Sequence, residues 1–406
     1  MHDENPTWQY SFYFLLLFTL PLSQLAVDVY TPSMPDMVRT LHTSITTVQW
    51  SMTVYLFAMG LGMSIWGILS DYTGRRIVYL YGFVIYCLGT LTCLTADSGS
   101  MLLVGRVIQG FGAGAIVCLT AMFSDTFSGD RLLQVSTYSS LIWSLVPIIA
   151  PFIGGLLQQY VNWQANFIMM LAYGILGYLV LLCYLPETHP KSKRTPFPAR
   201  EIVQIIGRAL SKRAFIGNAS LLVLSWSVMM IFSIMTPFLF ETVYHISPTG
   251  YGLLALVFGA FYTCGIFLNG RLVIRFRPSE MIWIGNFGII SGGILLAITA
   301  ALHWFNLWAT LIPCLYTVTL SSFVYPNAWA KAVETFDKRA AGIASALMMS
   351  YVLGGTAMLT LLASSFRIYS QWPLAICFTA LGISSSLMLW LVPRKKARLL
   401  IIFGDA

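Results

Sequence analysis

Gly67-Ile68-Leu69-Ser70-Asp71-Tyr72-Thr73-Gly74-Arg75-Arg76 closes one long apolar run, 47–69, and opens another, 77–96. Each run is about the 20 residues that a helix needs to cross a hydrocarbon layer. The polar island between them carries charges that belong in water. The same alternation continues outward in both directions, giving further apolar runs at 10–34, 101–123, 133–156, 163–185, 214–240, 250–270, 281–302, 306–329, 341–363 and 373–392. Over 406 residues the chain is 57% hydrophobic and only 9% charged, whereas soluble domains carry roughly 25% charged residues. Its mean hydropathy is +0.76. Lipid cannot satisfy open backbone groups, and the runs are too long for barrel strands. The expected fold is an all-α polytopic membrane protein with twelve transmembrane helices. The acidic start, Met1-His2-Asp3-Glu4-Asn5, lacks the basic region of a secretory signal, so the first run reads as a retained span.

The basic residues follow the same alternation. Twenty of the 23 fall on one side of the predicted membrane, only Arg39 and Arg367 fall on the other, and Arg106 lies within a span. By the positive-inside rule both termini are expected in the cytoplasm. This reading accounts for the net charge of +8 without nucleic acid as a partner. The polar stretch Pro186–Arg213 divides the chain into a six-helix half at 1–185, a central cytoplasmic loop at 186–213 and a second half at 214–406. Two pseudo-symmetric halves with a site between them are the plan of a transporter. Asn269-Gly270-Arg271-Leu272, after span eight, echoes the island after span two.

No metal or cofactor is expected. The seven cysteines lie in apolar runs without CxxC or Cys/His spacing and read as buried small side chains, and the five histidines form no cluster. There is no phosphate-binding GxxxxGK[ST] loop and no nucleophile–base pair, so neither ATP hydrolysis nor another enzyme activity is expected.

Charges inside the spans point to the chemistry. Arg106 in span four shares a helix face with Gln109, and a cation at that depth needs a partner or a wet cavity. The alternative is that it snorkels to the interface. Asp28 is the acid placed well inside a predicted span, while Glu241 sits at the rim of span seven. Asp28 and Arg106 reach similar depths, about 9 Å from their helix ends, which suits direct or water-mediated pairing. Gln24 and Thr31 lie on the Asp28 face. A fixed structural salt bridge is the competing explanation. In span five, Pro147, Pro151, Gly154 and Gly155 imply a bent, tightly packed helix. Tyr30, Tyr55, Trp143, Trp226, Tyr262 and Asn327 are further candidates for a substrate cavity.

Taken together these stretches resemble a known family. The island is similar to the GxLxDRxGRR/K loop of the major facilitator superfamily, with Tyr72 where a basic residue is common. Arg106–Gly110 resembles its RxxQG motif. Pro147–Gly155 resembles the GPxxGG antiporter motif, with Ala150 in place of the first glycine. Leu25–Pro35 resembles the LxxDxYLPxxP segment of Bcr/CflA drug-resistance exporters, in the twelve-span drug:proton antiporter group. Pro326-Asn327-Ala328 and Ala341–Ala346 point the same way.

The resemblance implies a monomeric carrier in the bacterial inner membrane that exports small organic molecules against protons by alternating access. Asp28 would take the proton opposite Arg106. Gly67, Asp71, Gly74, Arg75 and Arg76 would latch one face, and the span-five kink would discourage leak. Alternatives are a dedicated exporter of a metabolite or siderophore, and proton symport inward.

Overall fold

The computed structural model describes residues 6–194, 207, 211–333 and 341–391. Among them are twelve helices long and apolar enough to span a membrane. In the first half these are α1 (Phe12–Thr40), α2 (Ile45–Thr73), α3 (Arg75–Leu94), α4 (Gly99–Thr126), α5 (Gly129–Tyr160) and α6 (Gln164–Tyr184). In the second they are α7 (Arg213–Val243), α8 (Pro248–Leu272), α9 (Pro278–Ala301), α10 (Leu307–Ala332), α11 (Ser345–Ala363) and α12 (Trp372–Leu391). Most of the central loop and the basic residues Lys338, Arg339, Arg394, Lys395, Lys396 and Arg398 lie outside the described residues.

The starts of α2, α4, α8 and α10 on the face opposite the basic loops are capped by short polar side chains. Ser44, Ser98, Ser247 and Asn306 accept from Thr47 N, Met101 N, Gly250 N and Ala309 N. These caps satisfy backbone donors that a helix start leaves open.

Equivalent spans of the two halves are interrupted. α1 unwinds after Asp28 and passes through a 3-10 turn at Thr31–Ser33 before resuming at Met34. Pro32 and Pro35 lack the N–H that an unbroken helix would use there. The helix then runs on to Thr40, six residues beyond the predicted limit, so Asp28 lies deeper than 9 Å from its end. Its counterpart α7 widens into a π-turn at Phe238–Val243 immediately after Pro237, with Tyr244 N bonded to Leu239 O at 3.1 Å. α4 tightens at Gly114–Ile116, and α10 breaks at Ser322–Phe323. α5 carries Pro147 and Pro151 inside one continuous helix.

The halves meet along two seams. Across α2 and α11, Thr53 and Thr360 hydroxyls bond at 3.0 Å, Ser64 and Ser350 at 2.7 Å, and Ser350 Oγ donates to Gly60 O. Across α5 and α8, Thr249 donates to Gln159 and Gly155, and Gly259 packs on Ile148. Gln49 Nε2 donates to Ile234 O of α7. The α5–α8 contacts gather on the face away from the basic loops. Toward the basic loops α5 exposes Leu133, Tyr138 and Leu141, and α8 exposes Phe267 and Leu268. The cysteines are all free; Cys93, Cys118, Cys314 and Cys377 are buried as expected, but Cys183 and Cys264 are exposed.

Candidate functional site

The deepest polar cluster is assembled from α1, α2, α3 and α4. Arg106 is fully buried, which excludes snorkelling. Its Nε donates to Ser51 O at 3.2 Å and its Nη1 to Gln109 Oε1 at 2.6 Å. The Tyr30 and Tyr55 rings lie 4.4 and 4.3 Å from the guanidinium carbon. Its buried Nη2 has no hydrogen-bond partner. Gln109 is held in turn, since its Nε2 donates to Thr90 Oγ1 at 2.8 Å, and the Thr90 hydroxyl donates to Tyr86 O.

The tyrosines are fixed by their hydroxyls. Ser51 spends its one proton on Val48 O at 2.6 Å, so in the 3.0 Å contact with Tyr30 the tyrosine is the donor. Tyr55 donates to Ser23 O at 2.6 Å. Both rings are therefore held over the cation while their polar ends stay satisfied.

Asp28 is buried at the end of the helical part of α1. Gln24, one turn earlier, donates to its Oδ2 at 2.7 Å. Thr31 bonds the Asp28 main-chain carbonyl rather than its carboxylate. No ion pair within 4 Å joins Asp28 to Arg106 among the described residues. Of the two expected forms of pairing the direct one is therefore not made, and the guanidinium is covered instead by two aromatic rings. Gly154 of α5 packs so closely on Val29 that a Cβ would run into the Val29 carbonyl oxygen, and Gly155 meets Pro248 of α8 in the same way. The α1 break, with Asp28 before it, therefore adjoins the seam between halves.

The remaining candidates divide. Trp226 meets Tyr325 at a tilt of 49°, with centroids 5.4 Å apart, and Tyr325 stacks on Trp329 at 6.3 Å. These rings belong to α7 and α10, are only partly buried, and leave the buried Trp226 Nε1–H without an acceptor. Trp143 and Tyr262 are partly buried on α5 and α8 but join no ring contact among the described residues. Asn327 and Gln109 are both held by hydrogen bonds to neighbouring helices. Asn327 is buried and donates to Asn269 Oδ1 at 2.7 Å and Phe323 O at 2.8 Å, clamping α10 to α8. Gln109 is consumed in orienting Arg106.

The island on the basic face forms a compact ionic knot. Arg75 reaches Asp71 at 2.6 Å, Asp125 at 3.1 Å and Ser70 Oγ at 2.7 Å. Gly74 has a φ of 108°, a region glycine enters without strain. Arg76 donates to Leu182 O at 2.9 Å, while Gly67 makes only ordinary contact with Val117. Glu187, unremarked in the sequence, accepts from Arg75 N at 2.9 Å and pairs with Arg194 at 3.5 Å. An acid just after span six, facing a known basic island, was the available signal. Ser51, Ser23 and Thr90 were also missed; only the four-residue spacing of Ser51 and Tyr55 could have suggested the first.

An apolar groove of about 560 Å³ between α2, α3 and α4, lined by Phe57, Leu61, Val107 and Phe111 among others, holds no titratable group.

Comparison with known proteins agrees with this architecture. The family model described as Major Facilitator Superfamily matches residues 16–360. The chain is 29% identical over 362 residues to an uncharacterized MFS-type transporter YdgK of Bacillus subtilis (strain 168), covering 87% of this chain and 89% of that one. It is 28% identical to a bicyclomycin resistance protein homolog of Haemophilus influenzae, covering 98% and 99%. It is 26% identical to the multidrug resistance protein MdtL of Citrobacter koseri, covering 83% and 84%. Among solved structures, a D-xylose-proton symporter superposes with a TM-score of 0.78 at 14% identity, covering 95% and 98%, a likeness of fold alone. Twelve spans in two six-helix halves and a family match over most of the length have one conclusion: this chain belongs to the Major Facilitator Superfamily and is a membrane transporter, not an enzyme.

Proposed function

We propose that this transporter exports small organic molecules, antibiotics among them, across the bacterial inner membrane in exchange for protons, with both termini in the cytoplasm. The observation that carries the proton role is the state of Asp28. Its carboxylate is buried, receives a hydrogen bond from Gln24 and has no cation within ion-pairing distance among the described residues. An acid locked to a guanidinium would resist protonation, whereas one held by a neutral amide beside the seam between halves can gain and lose a proton. Arg106, covered by Tyr30 and Tyr55, supplies a fixed positive field to the same cluster.

Substrate binding is assigned to the space between halves, with Trp226, Tyr262 and Trp143 as apolar contacts and the free Trp226 Nε1–H as a donor to a substrate oxygen. Gln24, Tyr30, Thr31 and Tyr55 act behind this surface by shaping the acid and cation. The names of the bicyclomycin and multidrug resistance relatives support an antibiotic or drug as cargo.

In the cycle, cargo entering from the cytoplasm favours proton release from Asp28. Rebinding of a proton from the far side favours cargo release there. Each ligand shifts the conformational balance only through its differential affinity for the two states. The Arg75 knot serves as the cytoplasmic latch and Gly154 and Gly155 as the tight contact that limits leak.

The test is a resistance panel in an efflux-deficient bacterium, with everted-vesicle transport of any compound it identifies. Wild type should raise resistance and drive uptake on an imposed proton gradient. Asp28→Asn should do neither while reaching the membrane in equal amount. Gradient-driven uptake by Asp28→Asn would remove Asp28 from the mechanism.

A further inference from the structure

A second acid stands at the seam and has no part in the cycle above. Glu241 lies in the π-turn that ends α7, the span equivalent to α1, and each of these spans carries an acid where its helix deforms. π-turns recur at functional positions because they cost hydrogen-bond geometry that a regular helix would keep. Here the widening follows Pro237 and turns Glu241 toward the end of α1 from the other half.

The surroundings are wrong for a charge. Glu241 Oε1 is buried and has no hydrogen-bond partner. The charged and titratable groups facing it are Asp36 and Arg39 of α1 and Tyr251 of α8. Arg39 is already paired with Asp36 at 3.0 Å, and its side chain is 78% exposed, so water screens most of its field. Asp36 also accepts from Gln158 of α5 at 3.1 Å, and the buried Gln158 Oε1 is a second acceptor without a donor. An ionised Glu241 would add a negative charge beside Asp36, with its own buried oxygen left without a donor. A protonated one removes that charge and turns a carboxylate that can only accept into a group that can also donate.

We propose that Glu241 is a proton-binding residue of the seal on the face opposite the basic loops, protonated while the halves are closed over it and ionised when they part. The proton is taken from and returned to the water on that same face. It makes closure pH-sensitive without adding to the protons carried per cycle. The inference rests on the alternating-access reading, under which the two halves separate at this face.

The experiment measures the distance between spin labels at Tyr160 and Trp304, exposed positions in different halves near that face. It uses full-length protein in lipid nanodiscs, with the seven native cysteines replaced. All variants carry Asp28→Asn, which removes the other intramembrane proton site. The protein with Glu241 should shift from closed to open as pH rises, the ratio changing by up to about tenfold per pH unit for one linked proton. Glu241→Gln should remain closed with a flat profile, and Glu241→Leu, apolar and unable to titrate, should be flat as well. An unchanged pH response in either variant overturns the assignment to Glu241. A single distance at every pH, with and without Glu241, would overturn it too, and that outcome would be traced to the failure of alternating access itself.

Discussion

Arg106 keeps a full charge at membrane depth by means that no single stretch of sequence displays. Its donors go to a main-chain carbonyl and an amide, and two aromatic faces cover it. Each desolvated cation–π contact is worth about 2 kcal/mol, comparable with a hydrogen bond to a charged group. Arg106→Lys should therefore be inactive or strongly impaired, because a point charge cannot serve Ser51, Gln109 and two rings at once. Tyr55→Phe loses only the bond to Ser23 O and should lower stability by about 1 kcal/mol while retaining transport. Tyr55→Ala uncovers the cation and should abolish transport; thermal unfolding and vesicle uptake of the pair separate ring from hydroxyl. The residues were partly legible beforehand. Asp28 and Arg106 stood out because charges are costly in a span, and Gln109 stood out by its three-residue spacing. Their relationship was not legible, since Tyr30 and Tyr55 reach the cation from other helices and no periodicity encodes that meeting.

At the scale of elements, close approach governs α5. Gly154 allows the Val29 carbonyl, next to Asp28, to rest against the helix, whereas Gly270 of α8 has open space around its Cα. Gly154→Val should destabilise by at least about 1–3 kcal/mol, from overpacking against main chain, and should eliminate transport. Gly270→Ala, the control, should change neither the melting temperature nor uptake. On the basic face, Glu187→Ala should loosen the start of α3 by removing the acceptor of Arg75 N and the partner of Arg194, a change that amide exchange at Arg75–Val78 would report. Helix existence was readable from apolar runs, but helix ends were not. α1, α5 and α10 continue as helices past the apolar windows into polar residues such as Arg39, Asp130, Gln159 and Lys331, which hydropathy alone leaves out. The span-five prolines were readable as a bend and lie within a continuous helix, whereas Pro32 and Pro237, not singled out in the sequence, coincide with the α1 break and the α7 π-turn.

For the whole molecule, the alternation of basic and neutral loops already implied twelve spans and a six-plus-six division, because one missed helix would scramble it. What it could not reveal is which seams are closed. The hydroxyl contacts between α2 and α11 and the glycine contacts between α5 and α8 depend on how two separately folded halves face each other. That facing puts Asp28 beside the seam between the halves. It makes one measurement decisive: proton release on binding of a transported compound, followed calorimetrically in two buffers of different ionisation heat with the purified protein. Wild type should release a proton on binding, seen as a buffer-dependent heat, and Asp28→Asn should bind the same compound with equal heats in both buffers. Proton release of the same size from Asp28→Asn would contradict the account at its centre.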